Sequence, residues 1–190
     1  MVKAKMLLNN TGVHMTSRGP YIVTYTGKKF FPLDVRKADI DIKDIAHALS
    51  LQCRFSGHCE FHYSVAQHSA LVSYVLPDEL KLEGLLHDAS EAYLVDVPRP
   101  IKHIADFSAY RKIEKDVQDT IFEKYGITEQ HHTDISKADN LLLATEARQI
   151  MDNPSWARLL DYDPTIKIQE HSPRQAEQWF LREFERLTKI

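Results

Sequence analysis

A mostly α-helical chain with a small β appendage near its N-terminus is predicted by three observations. From residue 41 onward, apolar residues recur at helical spacing. Ser, Asp and Pro stand where helices should start, and Gly or Pro where they should stop. Only residues 21–32 carry a short β-branched and aromatic pattern around a Gly-containing turn. The chain has 190 residues and is read as one domain, 1–190. At that size roughly 70% of the unfolded surface can be buried, enough for an ordinary core.

Each element has a local reason. Val23-Thr24-Tyr25 and Phe30-Phe31 flank Thr26-Gly27-Lys28-Lys29, which reads as a β-hairpin that ends at Pro32. Ile42, Ile45, Ala46 and Leu49 share one helical face. Ser64 is placed as the N-cap of a helix carrying Val65, His68, Leu71, Val72 and Val75. Pro77-Asp78 breaks that helix, and the next is expected as one run from about 79 to 93. Pro98 and Pro100 stiffen a loop, because each fixes φ. Long amphipathic helices are expected over 108–124, stopped by Gly126, and over 135–151, stopped by Asn153-Pro154. Residues 161–170 have no clear period and read as loop. Ser172-Pro173, an N-cap followed by Pro at the first helical position, starts a last helix over about 172–188.

Composition excludes several classes. The net charge is −3 and no broad basic stretch exists, so no stable nucleic-acid partner is expected. No apolar run reaches 18 residues, so no membrane span is expected. Met1-Val2-Lys3-Ala4-Lys5 leads into only three apolar residues, so no signal peptide is read. Cys53 and Cys59 make no disulfide framework and are read as reduced thiols of a cytoplasmic protein.

The chemistry-bearing stretch is Leu85-Leu86-His87-Asp88-Ala89-Ser90-Glu91, followed by Asp96-Val97-Pro98. A His-Asp pair in an apolar helix is costly to bury unless something compensates, and a divalent cation is the usual compensation. His87 and Asp88 lie about 100° apart around a helix and can converge on one ion. His68 upstream and Asp139 downstream complete a pattern of His, His-Asp and Asp. Two imidazoles and two carboxylates suit Co, Mn, Ni, Fe or Zn better than Ca. A divalent ion so held lowers the pKa of a water molecule it binds.

On these residues the chain resembles the HD superfamily of metal-dependent phosphohydrolases. His87-Asp88-Ala89-Ser90-Glu91 and Asp96-Val97-Pro98-Arg99-Pro100-Ile101-Lys102 are similar to its nucleotidase branch, which includes bacterial 5′-deoxynucleotidases. A closer likeness, to small phage enzymes that strip phosphate from dATP, is carried by residues 40–50, by Cys53-Arg54-Phe55-Ser56-Gly57-His58 and by Tyr63-Ser64-Val65-Ala66-Gln67-His68-Ser69. The resemblance covers roughly residues 20–150. It implies an all-α HD-domain helical bundle with a small N-terminal β-hairpin, its core at about 40–150.

The resemblance also implies a site. His68, His87, Asp88 and Asp139 would hold a divalent metal ion: Co, Mn, Zn, Ni or Mg. Asp96 would orient the attacking water, and Glu91 would act as acid or base. Arg54 would meet phosphate, since a guanidinium suits a pair of phosphate oxygens. Lys102 and Lys137 would add charge for a longer phosphate chain. Phe55 would stack on a purine, with Pro100 closing the pocket. The expected partner is a small-molecule deoxynucleotide. Relatives form dimers or larger rings, so a homo-oligomer is expected, with the apolar residues of the last helix serving either interface or core. The expected activity is a dATP triphosphohydrolase, with a dNMP 5′-nucleotidase as the alternative. A nucleotide-binding module without catalysis is the rival from another class; Glu91 and Asp96 beside an intact ligand set argue against it.

Overall fold

The computed structural model describes residues 7–8 and 14–189. Residues 1–6, on which the leader reading rests, lie outside that range. Two small antiparallel sheets precede the helices. The first comprises β1 (Leu7–Leu8), β2 (His14–Thr16) and β3 (Gly19–Pro20), in that order. The second is the expected hairpin, β4 (Ile22–Val23) with β5 (Lys29–Phe30), in the register Ile22 to Phe30. Gly27 makes the turn at φ 81°, a conformation costly for side-chain-bearing residues, and its N–H donates to the Thr24 carbonyl at 2.9 Å. The first sheet was not anticipated, because its strands are two or three residues long and carry no alternation to read.

The helices are α1 (Ile42–Leu51), α2 (Val65–Val75), α3 (Lys81–Leu86), α4 (Glu91–Leu94), α5 (Arg99–Lys102), α6 (Ser108–Lys124), α7 (His132–Ile150) and α8 (Pro173–Thr188). Their starts are chemically marked. The Asp41 carboxylate accepts from the Lys43 N–H, and the Ser64 hydroxyl accepts from the Gln67 N–H. Ser172 and Gln175 form a reciprocal capping box with Pro173 at the first helical position.

α2 is the central helix. Val65 through Ser73 are all buried, so α2 is packed on every side until its end, where Tyr74 is exposed. Gly84 lets α3 approach it, since a Cβ there would strike Leu76. One side of α2 joins a core built on Ile45, Leu49, Leu85, Ile121 and Phe180. The other joins Tyr63, Val72, Leu142 and Ile150. On α8, Ala176 and Phe180 are fully buried in the first core, with Trp179 and Phe184 packed against it, so its apolar face serves the core. The hairpin is tied down by Phe30, which stacks on Tyr93 at 3.9 Å between ring centroids.

The largest departure from the sequence expectation falls between 79 and 93. That run is not one helix. A 3₁₀ turn (Asp78–Leu80) leads into α3, the helix stops after Leu86, and α4 begins at Glu91. Gln118 of α6 explains how the break is tolerated. Its side-chain N–H donates to the Leu86 carbonyl at 2.7 Å, and its carbonyl oxygen accepts from the Ser90 N–H at 2.9 Å. Backbone groups freed by the break are thereby satisfied. The stiff loop also differs: Arg99–Lys102 forms one helical turn after Pro98. α7 starts three residues earlier than expected, from an N-cap at His131 whose N–H donates to the buried Glu83 carboxylate at 2.7 Å.

Candidate metal centre

The break after α3 places His87 and Asp88 at the end of a helix, facing α2 and α7. His68 comes from α2 and Asp139 from α7. Ligand atoms of His68, His87 and Asp139 all lie within 4.8 Å of one another, and this group could hold a metal ion. His68 Nε2 is 3.2 Å from Asp139 Oδ1. Asp88 Oδ2 stands 3.1 Å from His87 Nε2 and 3.8 Å from His68 Nε2, at the edge of the same space.

The hydrogen bonds behind the imidazoles decide which nitrogens face inward. His87 Nδ1 lies 2.8 Å from the Gly84 carbonyl, which can only accept, so Nδ1 carries the proton. His68 Nδ1 lies 2.7 Å from Glu146 Oε1. Both Nε2 atoms are therefore turned toward the shared space, and both are buried without a hydrogen-bond partner. Buried polar atoms are rarely left unpaired. Two orphaned imidazole nitrogens converging with a carboxylate are a donor set that fits a divalent transition ion, with the back-side hydrogen bonds holding each ring in place.

Glu146 was missed by the sequence reading. It is fully buried, and its carboxylate accepts from His68 Nδ1, from the Tyr63 hydroxyl at 2.8 Å and from Arg54 Nε at 3.0 Å. Burial works against its charge, but Arg54 and His68 outweigh burial and hold its pKa below the usual value. Burial and Arg54 oppose charge on His68, and Glu146 and Asp139 outweigh them, lifting it to about 9 in the metal-free protein; an ion at Nε2 would displace that proton. Burial would raise Asp88, yet His87 and His68 bring it down to about 2. The signal for Glu146 was present. It stands seven residues after Asp139, two helical turns along the same face, within an otherwise apolar run.

The other expected residues separate into two groups. Arg54, Phe55, Asp96, Pro100 and Lys102 line one cavity of about 850 Å³ together with Asp88, Glu91 and Asp139. Glu91 is buried, and burial together with Asp88 and Asp96 pushes its pKa well above the ordinary value. Asp96 is also raised, chiefly by burial. Gln52 holds both backbones: its side-chain N–H donates to the Glu91 carbonyl, and its carbonyl oxygen accepts from the Asp96 N–H. Val95, at φ 73°, reverses the chain between them. Lys102 reaches Glu114 at 2.5 Å.

Lys137 corrects the expectation. Its side chain is 72% exposed, pairs with Asp134, and lines a different cavity, beside Val75 and Leu80. Positions 137 and 139 lie two apart on α7, nearly opposite each other around a helix, so they cannot serve one site. Arg99 supplies the cation that Lys137 does not: its Nη2 is 2.5 Å from Asp139 Oδ2, and it lines the cavity. Leu143, Met151 and Trp156 complete an apolar wall that was likewise not anticipated.

Fold and site together define a helical protein with a buried histidine and carboxylate centre. No protein-family model matches the chain. It is 37% identical over 174 residues to the uncharacterised protein YfdR of Escherichia coli K12, covering 90% of this chain and 97% of that protein. An uncharacterised protein of Rhodobacter capsulatus is 30% identical over 138 residues, covering 66% of this chain and 70% of that protein. The chain belongs to the same family as YfdR. Among the described residues no helix is long and apolar enough to cross a membrane.

Proposed function

We propose that this protein is a metal-dependent phosphohydrolase of the HD kind that acts on 2′-deoxynucleotide phosphates, with dATP triphosphohydrolase as the first reading. The observation that carries it is the pair of orphaned Nε2 atoms of His68 and His87 facing Asp139. His68, His87, Asp88 and Asp139 would hold the ion. When bound, the ion supplies an activated water and offsets phosphate charge.

The remaining steps fall to this chain's own side chains. Asp96, at the rim of the cavity, accepts a hydrogen bond from the attacking water and orients it. Glu91, whose pKa is raised by burial and by Asp88 and Asp96, would serve as the acid that protonates the leaving oxygen. Arg54 and Arg99 would meet the phosphate, and Lys102, which lines the same cavity, would serve a longer phosphate chain. Phe55 and the apolar wall around Trp156 exclude water from the base. The pairing of Lys102 with Glu114 is the specific observation favouring the second reading, a dNMP 5′-nucleotidase, because a cation already paired offers less to outer phosphates. A cytoplasmic location and self-association remain proposals that rest on cysteine usage and on the resemblance.

The test is direct. The protein is stripped of metal, reloaded with Mn²⁺, Co²⁺ or Mg²⁺, and given each dNTP, dNMP and rNTP with the products resolved. Release of phosphate from deoxynucleotides only in the loaded protein is expected. Asp88→Ala should lose metal content and hydrolysis together while its far-UV circular dichroism stays helical. Full activity in that variant overturns the assignment, and a parent that turns over dAMP but not dATP promotes the 5′-nucleotidase.

A further inference from the structure

The turn that carries Arg54 and Phe55 into the cavity is flanked by the chain's two cysteines. Cys53 and Cys59 are both partly buried, both unpaired as thiols, and their Sγ atoms lie 3.6 Å apart. The backbone brings them together. The Arg54 N–H donates to the Tyr63 carbonyl at 2.8 Å, the Val65 N–H donates to the Gln52 carbonyl at 3.0 Å, and Cys53 and Ser64 form an isolated antiparallel bridge. Between the cysteines the chain must reverse, and it does so through left-handed residues: Phe55 at φ 55°, Ser56 at φ 52° and Gly57 at φ 79°. Side-chain-bearing residues adopt that region at a cost, and such strain gathers where the surroundings over-determine the backbone. This strained turn supplies Phe55, Ser56 and His58 to the cavity wall and holds Arg54, whose Nη1 is 4.0 Å from Asp88.

We propose that Cys53 and Cys59 form a covalent modification site, a dithiol that exchanges with small-molecule disulfides of the glutathione class and thereby resets the turn carrying Arg54 and Phe55. The inference about thiol chemistry stands alone; its consequence for the cavity rests on the hydrolase reading above. Burial and the neighbouring Cys53 push the Cys59 thiol up to about 11, so we assign Cys59 the second step, which leaves the first attack to Cys53. The Cys53 thiolate attacks one sulfur of the small disulfide and expels one thiolate. Cys59 then attacks the Cys53 sulfur, gives its proton to solvent, and expels the second thiolate, which is protonated in turn. Two protein thiols are oxidised to one disulfide, and one small disulfide is reduced to two thiols. The sulfurs must close by roughly 1.5 Å to reach bonding distance, and the turn between them must absorb that movement.

The experiment incubates the metal-loaded full chain with glutathione disulfide and reads intact mass, free thiols and the cross-linked peptide. The expected product has no free thiol, carries no retained glutathione, contains a Cys53–Cys59 peptide, and is reversed by dithiothreitol. Cys59→Ser should stop at a glutathione adduct on Cys53, because the resolving thiol is gone. Free thiols persisting in excess glutathione disulfide, or a wild-type protein that stops at the adduct or links to a second copy, overturns the proposal. For the cavity, the oxidised protein should keep its metal content, since the metal group lies on other elements, while KM for the deoxynucleotide moves by about tenfold or more, the scale expected of an ångström-sized displacement. An unchanged KM overturns the coupling to the cavity. Absence of turnover in both redox states removes the hydrolase reading, and the mass measurement still decides the thiol chemistry.

Discussion

Two arginines in this molecule each lie over a phenylalanine ring and each bind carboxylates, one near the surface and one inside. Arg18 has the better geometry. It makes a two-point contact with Asp39, at 2.6 and 3.0 Å, adds Asp34 at 2.8 Å, and sits 3.9 Å above Phe31. Arg54 makes one short bond, to Glu146 at 3.0 Å, and sits 5.5 Å from Phe55. Yet the Asp34 side chain is 36% exposed, whereas the Glu146 side chain is wholly buried. Water can replace what Arg18 offers Asp34, and a surface pair of that kind contributes little. Nothing replaces Glu146, which also holds His68 and Tyr63. The comparison teaches that the importance of an ion pair here is set by what else depends on the carboxylate, rather than by the number of contacts.

The largest expected effect follows at the buried cluster. Glu146→Ala leaves Arg54, Tyr63 and His68 without their acceptor, and removing one member of a buried pair costs about 3–5 kcal/mol. Urea unfolding of the metal-free protein should show that loss, and metal content should fall as His68 loses its back-side partner. An unfolding midpoint equal to the parent's would break the comparison. Glu146→Gln, which keeps an acceptor but no charge, provides the milder variant if the alanine protein does not fold.

Next comes Glu91, whose burial has a purpose unrelated to stability. Glu91→Gln should reduce turnover by roughly 10²–10⁴-fold with metal retained. The same change should make the metal-free protein more stable at neutral pH, with a rise in Tm of about 2–4 °C for each kcal/mol gained. The pKa of Glu91 is raised in the folded chain, so the penalty on its charged form operates only above its ordinary value of 4.5. Thermal melts should therefore show the difference at neutral pH and lose it below about pH 4. A variant less stable at neutral pH would show that the carboxylate is satisfied in a way burial does not suggest.

Lys102 gives a smaller, selective effect. Lys102→Ala should weaken kcat/KM for dATP about tenfold, the scale of one charge-assisted hydrogen bond, with a much smaller change for dAMP. Equal losses on both substrates would place Lys102 against the inner phosphate and count against the triphosphate reading.

The smallest effect is expected at the exposed cluster. Asp34→Asn should move Tm by no more than about 2 °C. Arg18 and then Arg36 lower the Asp34 carboxyl below its usual 3.8, so whatever it contributes is present above that value and fades as pH falls through the folded value. Melts of parent and variant should thus converge in strong acid and draw closer in high salt. A large, salt-independent loss would erase the distinction between the two arginines.

Several parts of this molecule were legible in the linear chain. α6 occupies 108–124 as expected, and Ser64 and Ser172 cap the helices they were expected to cap, because periodicity and capping are local physics. His87 and Asp88 stand out as a polar pair in an apolar helix, whereas His68 and Asp139 join them only through the resemblance to the HD superfamily; the fold brings His68, His87 and Asp139 together. The break after Leu86 was not legible, because the partner that satisfies it, Gln118, lies 28 residues from Ser90 and 32 from Leu86. Lys137 was misplaced by attending to its nearness to Asp139 in sequence rather than to its angle around the helix.

The sequence by itself therefore determined the helical class, the extents of α6 and α8, and the residue types that could meet a metal, all of which depend on neighbours within a few turns. Only the tertiary structure decided that Glu146 stands behind His68, that Arg99 rather than Lys137 faces Asp139, and that two cysteines six residues apart touch. Those outcomes depend on which helix faces pack together, and that is set by burial summed over the whole core rather than by any short segment.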